Sequence, residues 1–286
     1  MDIHWYPGHM AKASRMIREQ LKLVDVVIEL LDARIPLSSA NPVIEEIIAG
    51  KPRIVALNKA DLADPRRTEL WLSYFRKKGI TAIAVNSIGG GGCKELTAQT
   101  EKAAQPKLQS LLAKGVRTRA IRAMILGIPN VGKSSLINRL KGSAVARTAD
   151  KPGVTRGKQW IKIGKNLEIL DTPGVLWPKL EDQQAAFRLA ATGAINDEVF
   201  DREAVVNKLV YILRTDYLPQ LVARYQINTD DELSDLWVLE QIGRRRGCLR
   251  SGGVVDIEKA GRILLSEFRA GLLGPITLDD FASEQV

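Results

Sequence analysis

The apolar and polar positions of this chain change rhythm several times along its length. Over residues 8–24, Ile17, Leu21 and Val24 recur at helical spacing while Lys12, Arg15, Arg18 and Lys22 take the other faces, which predicts a helix from Gly8 to Leu23. Val24 to Leu31 is then a nearly unbroken apolar run ending at Asp32, the pattern of a strand buried on both faces of a parallel sheet. Further runs at Arg53–Leu57 and Ile80–Val85 are separated by a helix-like segment around Glu69–Lys77. Strand alternating with helix predicts a parallel α/β sheet, with ligands beyond the carboxyl ends of the strands. Gly89–Gly92 breaks the pattern and leads into a polar helical stretch, Cys93–Lys114, that reads as a connector between two halves. The rhythm resumes with a strand at Ile121–Leu126, a glycine loop and a helix at Lys133–Leu140. Gln159–Ile163 and Leu167–Leu170 read as a hairpin around Gly164-Lys165-Asn166.

After Trp177 strands become scarce. Segments around Gln183–Thr192, Arg202–Tyr225, Asp231–Gly243 and Asp256–Ala270 all read as helices. A boundary near residue 178 therefore predicts two domains, an α/β domain over 1–178 and an all-α domain over 179–286. No internal repeat or low-complexity tract interrupts either.

Composition narrows the class. Of the 286 residues, 45% are hydrophobic, enough for two cores, and no apolar run approaches the length of a membrane span. Met1 to Tyr6 lack the charged-then-apolar pattern of an export signal, so a cytoplasmic protein is expected. Cys93 and Cys248 are too few for a disulfide framework or a zinc site and read as ordinary thiols. Lys and Arg exceed Asp and Glu by 42 to 33, a net charge of +9, which favours polyanionic partners without separating RNA from DNA or anionic lipid. The 5% aromatic content offers no obvious stacking platform for single strands. A monomer is the default expectation.

The glycine loop carries the first specific chemistry. Gly127-Ile-Pro-Asn-Val-Gly132-Lys133-Ser134 matches the phosphate-binding pattern GxxxxGK[ST], with a strand before it and a helix after it. Backbone N–H groups of such a loop wrap phosphates, and the helix N-terminus adds favourable partial charge. Asn130, Val131, Gly132, Lys133, Ser134 and Ser135 are thus candidate nucleotide-binding residues, with Lys133 reaching the β- and γ-phosphates and Ser134 ligating Mg²⁺. Downstream, Asp171-Thr-Pro-Gly174 follows the strand Leu167–Leu170, where the Mg²⁺-associated carboxylate belongs, and the Gly174 N–H can face the γ-phosphate. Between them, Thr155 in Lys151-Pro-Gly-Val-Thr155-Arg156-Gly157 is the candidate switch hydroxyl, a Mg²⁺ ligand only when the γ-phosphate is present.

Asn58-Lys-Ala-Asp61 specifies the base. The Asp61 carboxylate can accept two hydrogen bonds from the ring N–H and exocyclic amine of guanine, a donor pair that adenine lacks, so bound ATP would leave a buried carboxylate unpaired. Asn58 would contact the base or tie its loop to the phosphate loop, and the stem of Lys59 would cover the base face. Asn86-Ser87 stands where many GTPases carry Ser-Ala against the base oxygen. These motifs predict an α/β P-loop GTPase. An ATP-dependent kinase would need a base site without Asp61 and an acceptor pocket that the sequence does not show. The base motifs precede the phosphate loop, the reverse of the usual order, which is the mark of a circular permutation. The second switch then leads directly into the helical domain, so a shift at Gly174 could reposition it.

With Trp5-Tyr-Pro-Gly-His-Met10, Asp32-Ala-Arg-Ile-Pro36, Pro152-Gly-Val-Thr-Arg156 and Trp160 added to these motifs, the chain resembles the circularly permuted GTPases of ribosome assembly, most closely their bacterial members, over essentially its whole length. The resemblance implies a GTP-hydrolysing assembly factor on the maturing large ribosomal subunit, touching ribosomal RNA and proteins and activated by that particle. The rival reading is a GTP-gated RNA-binding module whose hydrolysis is incidental. Where many GTPases place a water-orienting Gln after DxxG, this chain has Val175, and the resemblance assigns catalysis to His9 instead; packing or capping of the first helix is the other role open to it. His4 reads as a surface residue, and Arg156 as either a finger or a solvent-facing side chain. Asn130 resembles the asparagine that holds K⁺ in potassium-stimulated GTPases. Arg244, Arg245, Arg246 and Arg250, with Gly252 and Gly253, read as a flexible basic loop between helices; the cations could simply dress a helix C-terminus, and the resemblance favours contact with RNA.

Overall fold

The computed structural model describes residues 15–42, 44–48, 50–116, 119–142, 160–170, 182–228 and 234–281. They form two compact units, one of residues up to 170 together with 279–281, the other of residues 182–278.

The first unit is built on a six-stranded sheet in the order β3-β2-β1-β4-β6-β5. Its strands are β1 (Val26–Asp32), β2 (Arg53–Asn58), β3 (Thr81–Val85), β4 (Ile121–Leu126), β5 (Trp160–Ile163) and β6 (Leu167–Leu170). All neighbours are parallel except the β5–β6 hairpin. Strand β1 lies at the centre and is buried at every position, so both faces of the sheet are covered. Val27 and Leu31 share one face. Val27 packs with Ile17 and Leu21 of helix α1 (residues 15–21) and with Ile47 and Ile48 of α2 (Ile44–Ile48). Leu31 packs with Trp71 and Phe75 of α3 (Pro65–Lys77). The long helix α4 (Cys93–Ala113) runs against β1, β2, β3 and β4 through Leu96, Thr100 and Ala104, and α5 (Lys133–Lys141) follows the phosphate loop.

Local chemistry sets the helix starts. α3 begins a turn earlier than the apolar spacing predicts, because the Asp64 carboxylate accepts from the N–H groups of Arg66 and Arg67 and Pro65 occupies the first turn. α4 begins at Gly92, where φ is +74° and a Cβ would stand 2.0 Å from the Ala84 carbonyl oxygen, so only glycine fits.

Among the described residues of the second unit the regular elements are helices, α6 (Gln183–Ala191), α7 (Arg202–Asp216), α8 (Leu218–Tyr225), α9 (Asp235–Arg245) and α10 (Ile257–Arg269), with a short 3-10 turn and an isolated bridge between the last two. The stretch Arg202–Tyr225, which reads as one helix, is two. Pro219 in the first turn of α8 cannot continue the hydrogen-bond ladder of α7. Tyr217 marks the break, its hydroxyl donating to the Thr277 carbonyl at 2.8 Å. No helix of the described residues is long and apolar enough to cross a membrane.

Candidate nucleotide site

Each described loop of the site leaves the carboxyl end of a parallel strand. Residues 58–64 follow β2, 86–92 follow β3, and 127–132 follow β4, whose neighbour β1 ends at Asp32. The parallel registers bring these ends to one edge, where an α/β sheet binds ligands.

Asn58 joins three loops. It is 2% exposed, its Nδ2 donates to the Val131 carbonyl at 2.7 Å, and its Oδ1 accepts from the Ser87 hydroxyl at 2.6 Å and the Ser87 N–H at 3.1 Å. Of the two roles open to Asn58, the geometry supplies the tie between loops. Gly132 stands beside it with φ at +101°, and a Cβ there would meet Asn58 Nδ2 at 2.3 Å.

Lys59 makes the second bridge. Its backbone is left-handed (φ +59°), and its ammonium donates to Asp32 Oδ2 at 2.9 Å and to the Asn130 carbonyl at 2.8 Å. Asp32 is fully buried and also receives the Arg34 guanidinium, at 3.0 Å on Oδ1 and 2.8 Å on Oδ2. Burial alone would raise its pKa, but Arg34 and then Lys59 outweigh it and hold the carboxyl well below the usual carboxylate range. The ionised Asp32 thus holds Lys59 against the phosphate loop. Asp61 is exposed beyond it, on the turn closed by the Leu62 N–H to the Lys59 carbonyl at 2.9 Å.

The Lys133 ammonium lies within the phosphate loop, donating to the carbonyls of Gly127 (3.1 Å) and Ile128 (2.8 Å). Val131 is buried, whereas Asn130, with φ at +56°, and Ser134 are exposed and Ser135 is partly so. Asn86 turns away from the site: its Oδ1 accepts from the N–H groups of Ile88 (2.9 Å) and Gly89 (2.7 Å) and shapes its own loop. Arg139 of α5 braces that loop by donating to the Ile88 carbonyl at 2.5 Å. His9, Thr155, Asp171 and Gly174, with Arg156 and Val175, lie outside the described residues.

The sequence reading missed the parts that hold the site in place. Asp32-Ala-Arg at the end of a buried strand was a signal for a carboxylate paired with its own i+2 arginine. Arg139 and Asp279 carry no such local sign. Asp279 is fully buried and accepts from the N–H groups of Leu37 (2.7 Å) and Ser38 (3.0 Å) and from the Ser38 hydroxyl (2.6 Å), fixing the turn that follows Arg34.

The arginine cluster differs from the expected flexible loop. Arg244 and Arg245 are exposed on the last turn of α9, a sound place for cations at a helix C-terminus. Arg246 pairs with Glu267 at 2.7 Å and lies over the Tyr225 ring, and Arg250 pairs with Asp256 at 3.0 Å. Leu249 bridges to Val255, so the intervening turn is closed by backbone pairing.

Comparison with known proteins agrees with this geometry. A family model described as 50S ribosome-binding GTPase matches residues 122–236. The match begins in β4, leaving the base motif at 58–61 outside it, as a permuted order requires. Ribosome biogenesis GTPase A of Bacillus cereus is 50% identical, covering 98% of this chain and 94% of that protein. Its counterpart in Thermotoga maritima is 32% identical, over 96% of this chain and 93% of that one. The structure of GNP-bound YlqF from T. maritima superposes with a TM-score of 0.64 at 29% identity, over 94% of this chain and 97% of that chain; for GDP-bound YlqF the values are 0.66 and 28%, over 94% and 100%. A P-loop fold with its base and phosphate loops tied together, carried on a sequence half identical to such relatives from end to end, is that of a GTP-hydrolysing enzyme, and the chain belongs to the ribosome biogenesis GTPase A family.

Proposed function

We propose that this GTPase acts on the maturing large (50S) ribosomal subunit, coupling GTP hydrolysis to a late maturation step and to its own release. The observation that supports this most is the double tie of Asn58 to Val131 and Lys59 to Asn130, which presents base and phosphate loops as one surface. Such pre-organisation lets binding energy order the switch segments instead of assembling the pocket. The 50S-binding description of the matching family model supports this partner, and the names of the relatives support a role in ribosome assembly.

In this reading Asp61 selects guanine, while Lys133 leaves the carbonyls of Gly127 and Ile128 for the β- and γ-phosphates. Ser134 fits Mg²⁺, since its hydroxyl is exposed in the first turn of α5 beside Lys133; Thr155 and Asp171 are the other proposed ligands. Bound Mg²⁺ supplies charge neutralisation on the phosphate oxygens. Gly174 senses the γ-phosphate, and His9 orients the attacking water in place of the absent glutamine. Asn130, on the loop's rim, is the proposed holder of K⁺, tested by comparing turnover in K⁺ and Na⁺ buffers. Arg244, Arg245, Arg246 and Arg250 are the proposed RNA contacts of the helical unit, the first two through exposed side chains, of which Arg245 also donates to the Gln226 carbonyl at 3.1 Å.

The test is GTP hydrolysis with and without purified subunits. Unaided turnover should be on the order of 10⁻³ s⁻¹ and rise strongly with 50S but not with 30S. Equal rates with either particle would overturn the assignment of partner. His9→Ala retaining the full stimulation would remove His9 from catalysis.

A further inference from the structure

The edge of the sheet opposite the nucleotide carries an unusual charge distribution. The connections that enter β1, β2, β3, β4 and β6 at their amino ends each bring a cation there: Lys22, Lys51, Lys78, Lys114 with Arg119, and Lys165. Among the described residues of these connections, Asp25 is the only carboxylate, and it is buried. The nucleotide edge is different, since residues 58–64 carry two carboxylates, Asp61 and Asp64, against the single cation Lys59.

Asp25 gathers Lys107 and Arg119 and offsets only one of their charges. Arg119 approaches it with two hydrogen bonds, at 2.7 and 2.9 Å, Lys107 of α4 reaches it at 2.6 Å, and the Arg122 N–H takes the remaining direction at 3.0 Å. Lys107 and Lys51 then share the Val24 carbonyl, at 3.3 and 2.8 Å. Two side-chain cations thus pair with one carboxylate, and Lys51 lies beside them on the Val24 carbonyl. Burial and the neighbouring Lys107 charge both push the Lys51 pKa down. Like charges held this close repel, and an added anion would relieve the repulsion. The outer ends of Lys107 and Arg119 remain partly open, at 41% and 32%.

We propose that this edge is a docking face for the sugar–phosphate backbone of RNA, with Lys51, Lys107 and Arg119 forming the phosphate site at its centre. The row of Lys22, Lys78, Lys114 and Lys165 extends the same charge across the ends of successive strands, as a polyanion requires and a single small anion does not. The GTPase unit then grips RNA on one edge and nucleotide on the other, separately from the helical unit's arginines. The proposal rests on the reading of this chain as a ribosomal factor only for the source of the RNA.

The test uses the full chain and a fluorescent RNA duplex of about 20 base pairs, with anisotropy read across a KCl series. Lys51→Gln with Lys107→Gln, which leaves the Arg119–Asp25 pair intact, should weaken binding about tenfold near 100 mM salt and lower the salt slope by about two. Affinity for a fluorescent GTP analogue should be unchanged, showing that the fold survives. Should that pair perturb folding, Lys22→Gln with Lys165→Gln, both exposed, must weaken RNA binding in its place. Arg66→Gln with Lys94→Gln removes the same charge near the nucleotide edge and should leave RNA binding intact. Unchanged affinity and slope in both test pairs, an equal loss in the control pair, or a loss of binding to phosphatidylserine vesicles in place of RNA would overturn the proposal. Failure of 50S to stimulate turnover, with the RNA effects present, would remove the proposed partner and leave this face standing.

Discussion

The side-chain amide of Asn58 donates to the carbonyl of Val131 at 2.7 Å, across 73 residues of chain, and so closes the base loop onto the phosphate loop. Circular permutation changes the order in which these loops are made but not this contact, because both loops leave the carboxyl ends of β2 and β4, the two parallel strands that flank β1. Asn58→Ala would orphan the Val131 carbonyl and remove the acceptor of the Ser87 N–H and hydroxyl in a buried place, at about 1–3 kcal/mol for each unpaired group. GTP and GDP affinities should both fall, by about tenfold or more in titrations of fluorescent analogues. A loss confined to GTP would show that the residue senses the γ-phosphate instead.

Gly132→Ala should be more severe. The left-handed φ of +101° already disfavours alanine, and the new Cβ would sit 2.3 Å from Asn58 Nδ2, which cannot retreat without breaking its bond to Val131. Nucleotide binding should be lost in equilibrium dialysis, while the circular dichroism of the folded chain remains. Binding within about threefold of the unaltered protein would mean that the loop has room to relax.

The strands were legible because strands buried on both faces are apolar almost throughout, and Val26–Leu31 and Ile121–Leu126, broken only by Glu29 and Arg122, could hardly be anything else. The phosphate and base motifs were legible because their backbone geometry admits few residue types. Two local signals were present but overlooked: Asp64-Pro65 at the start of α3, and Pro219 at the start of α8. What could not be read was pairing at long range. Nothing near Asp279 announces that its carboxylate will serve Leu37 and Ser38, and nothing in the asparagine of Asn86-Ser87 says that its side chain will cap its own loop rather than face the base. Such choices are settled by the three-dimensional neighbours, which the periodicity of the chain does not encode.

Asp279 yields a prediction about the end of the chain. Its carboxylate satisfies three buried donors, and two residues on, Phe281 packs edge-on against Trp71 with ring centres 5.3 Å apart. Asp279→Ala should cost about 3 kcal/mol, read from the urea midpoint of the GTPase unit. Nucleotide affinity should weaken as well, because the 35–39 turn adjoins the Arg34–Asp32 pair that holds Lys59. A midpoint unchanged by the substitution would show that the terminal segment is only loosely attached.

The arginines of α9 separate by role. Arg244 and Arg245 are exposed at its end, whereas Arg246 is bound to Glu267 and stacked over Tyr225. Charge reversal of Arg244 and Arg245 should weaken binding to 50S particles in sedimentation assays and leave thermal stability within about half a kcal/mol. Arg246→Glu should lower stability first, by placing two carboxylates together. Equal melting temperatures for the two variants would contradict this division.

Glu267 gives the acid side of the same cluster. Arg246 and Arg224 lie 2.7 and 2.8 Å from its carboxylate. Burial pushes its pKa up, but these guanidiniums outweigh burial and bring it from 4.5 down to about 2. Because the folded value lies below the unfolded one, the unfolded chain takes up the proton first as pH falls. The stabilisation is therefore complete above about pH 5, declines from near 4.5 toward 2, and is gone below that. Glu267→Gln should be less stable than the unaltered protein at neutral pH, and the two stability curves should converge between pH 4.5 and 2 in urea unfolding followed at several pH values. Parallel curves through that window would show that the glutamate's contribution is packing, with the arginines adding no net charge stabilisation.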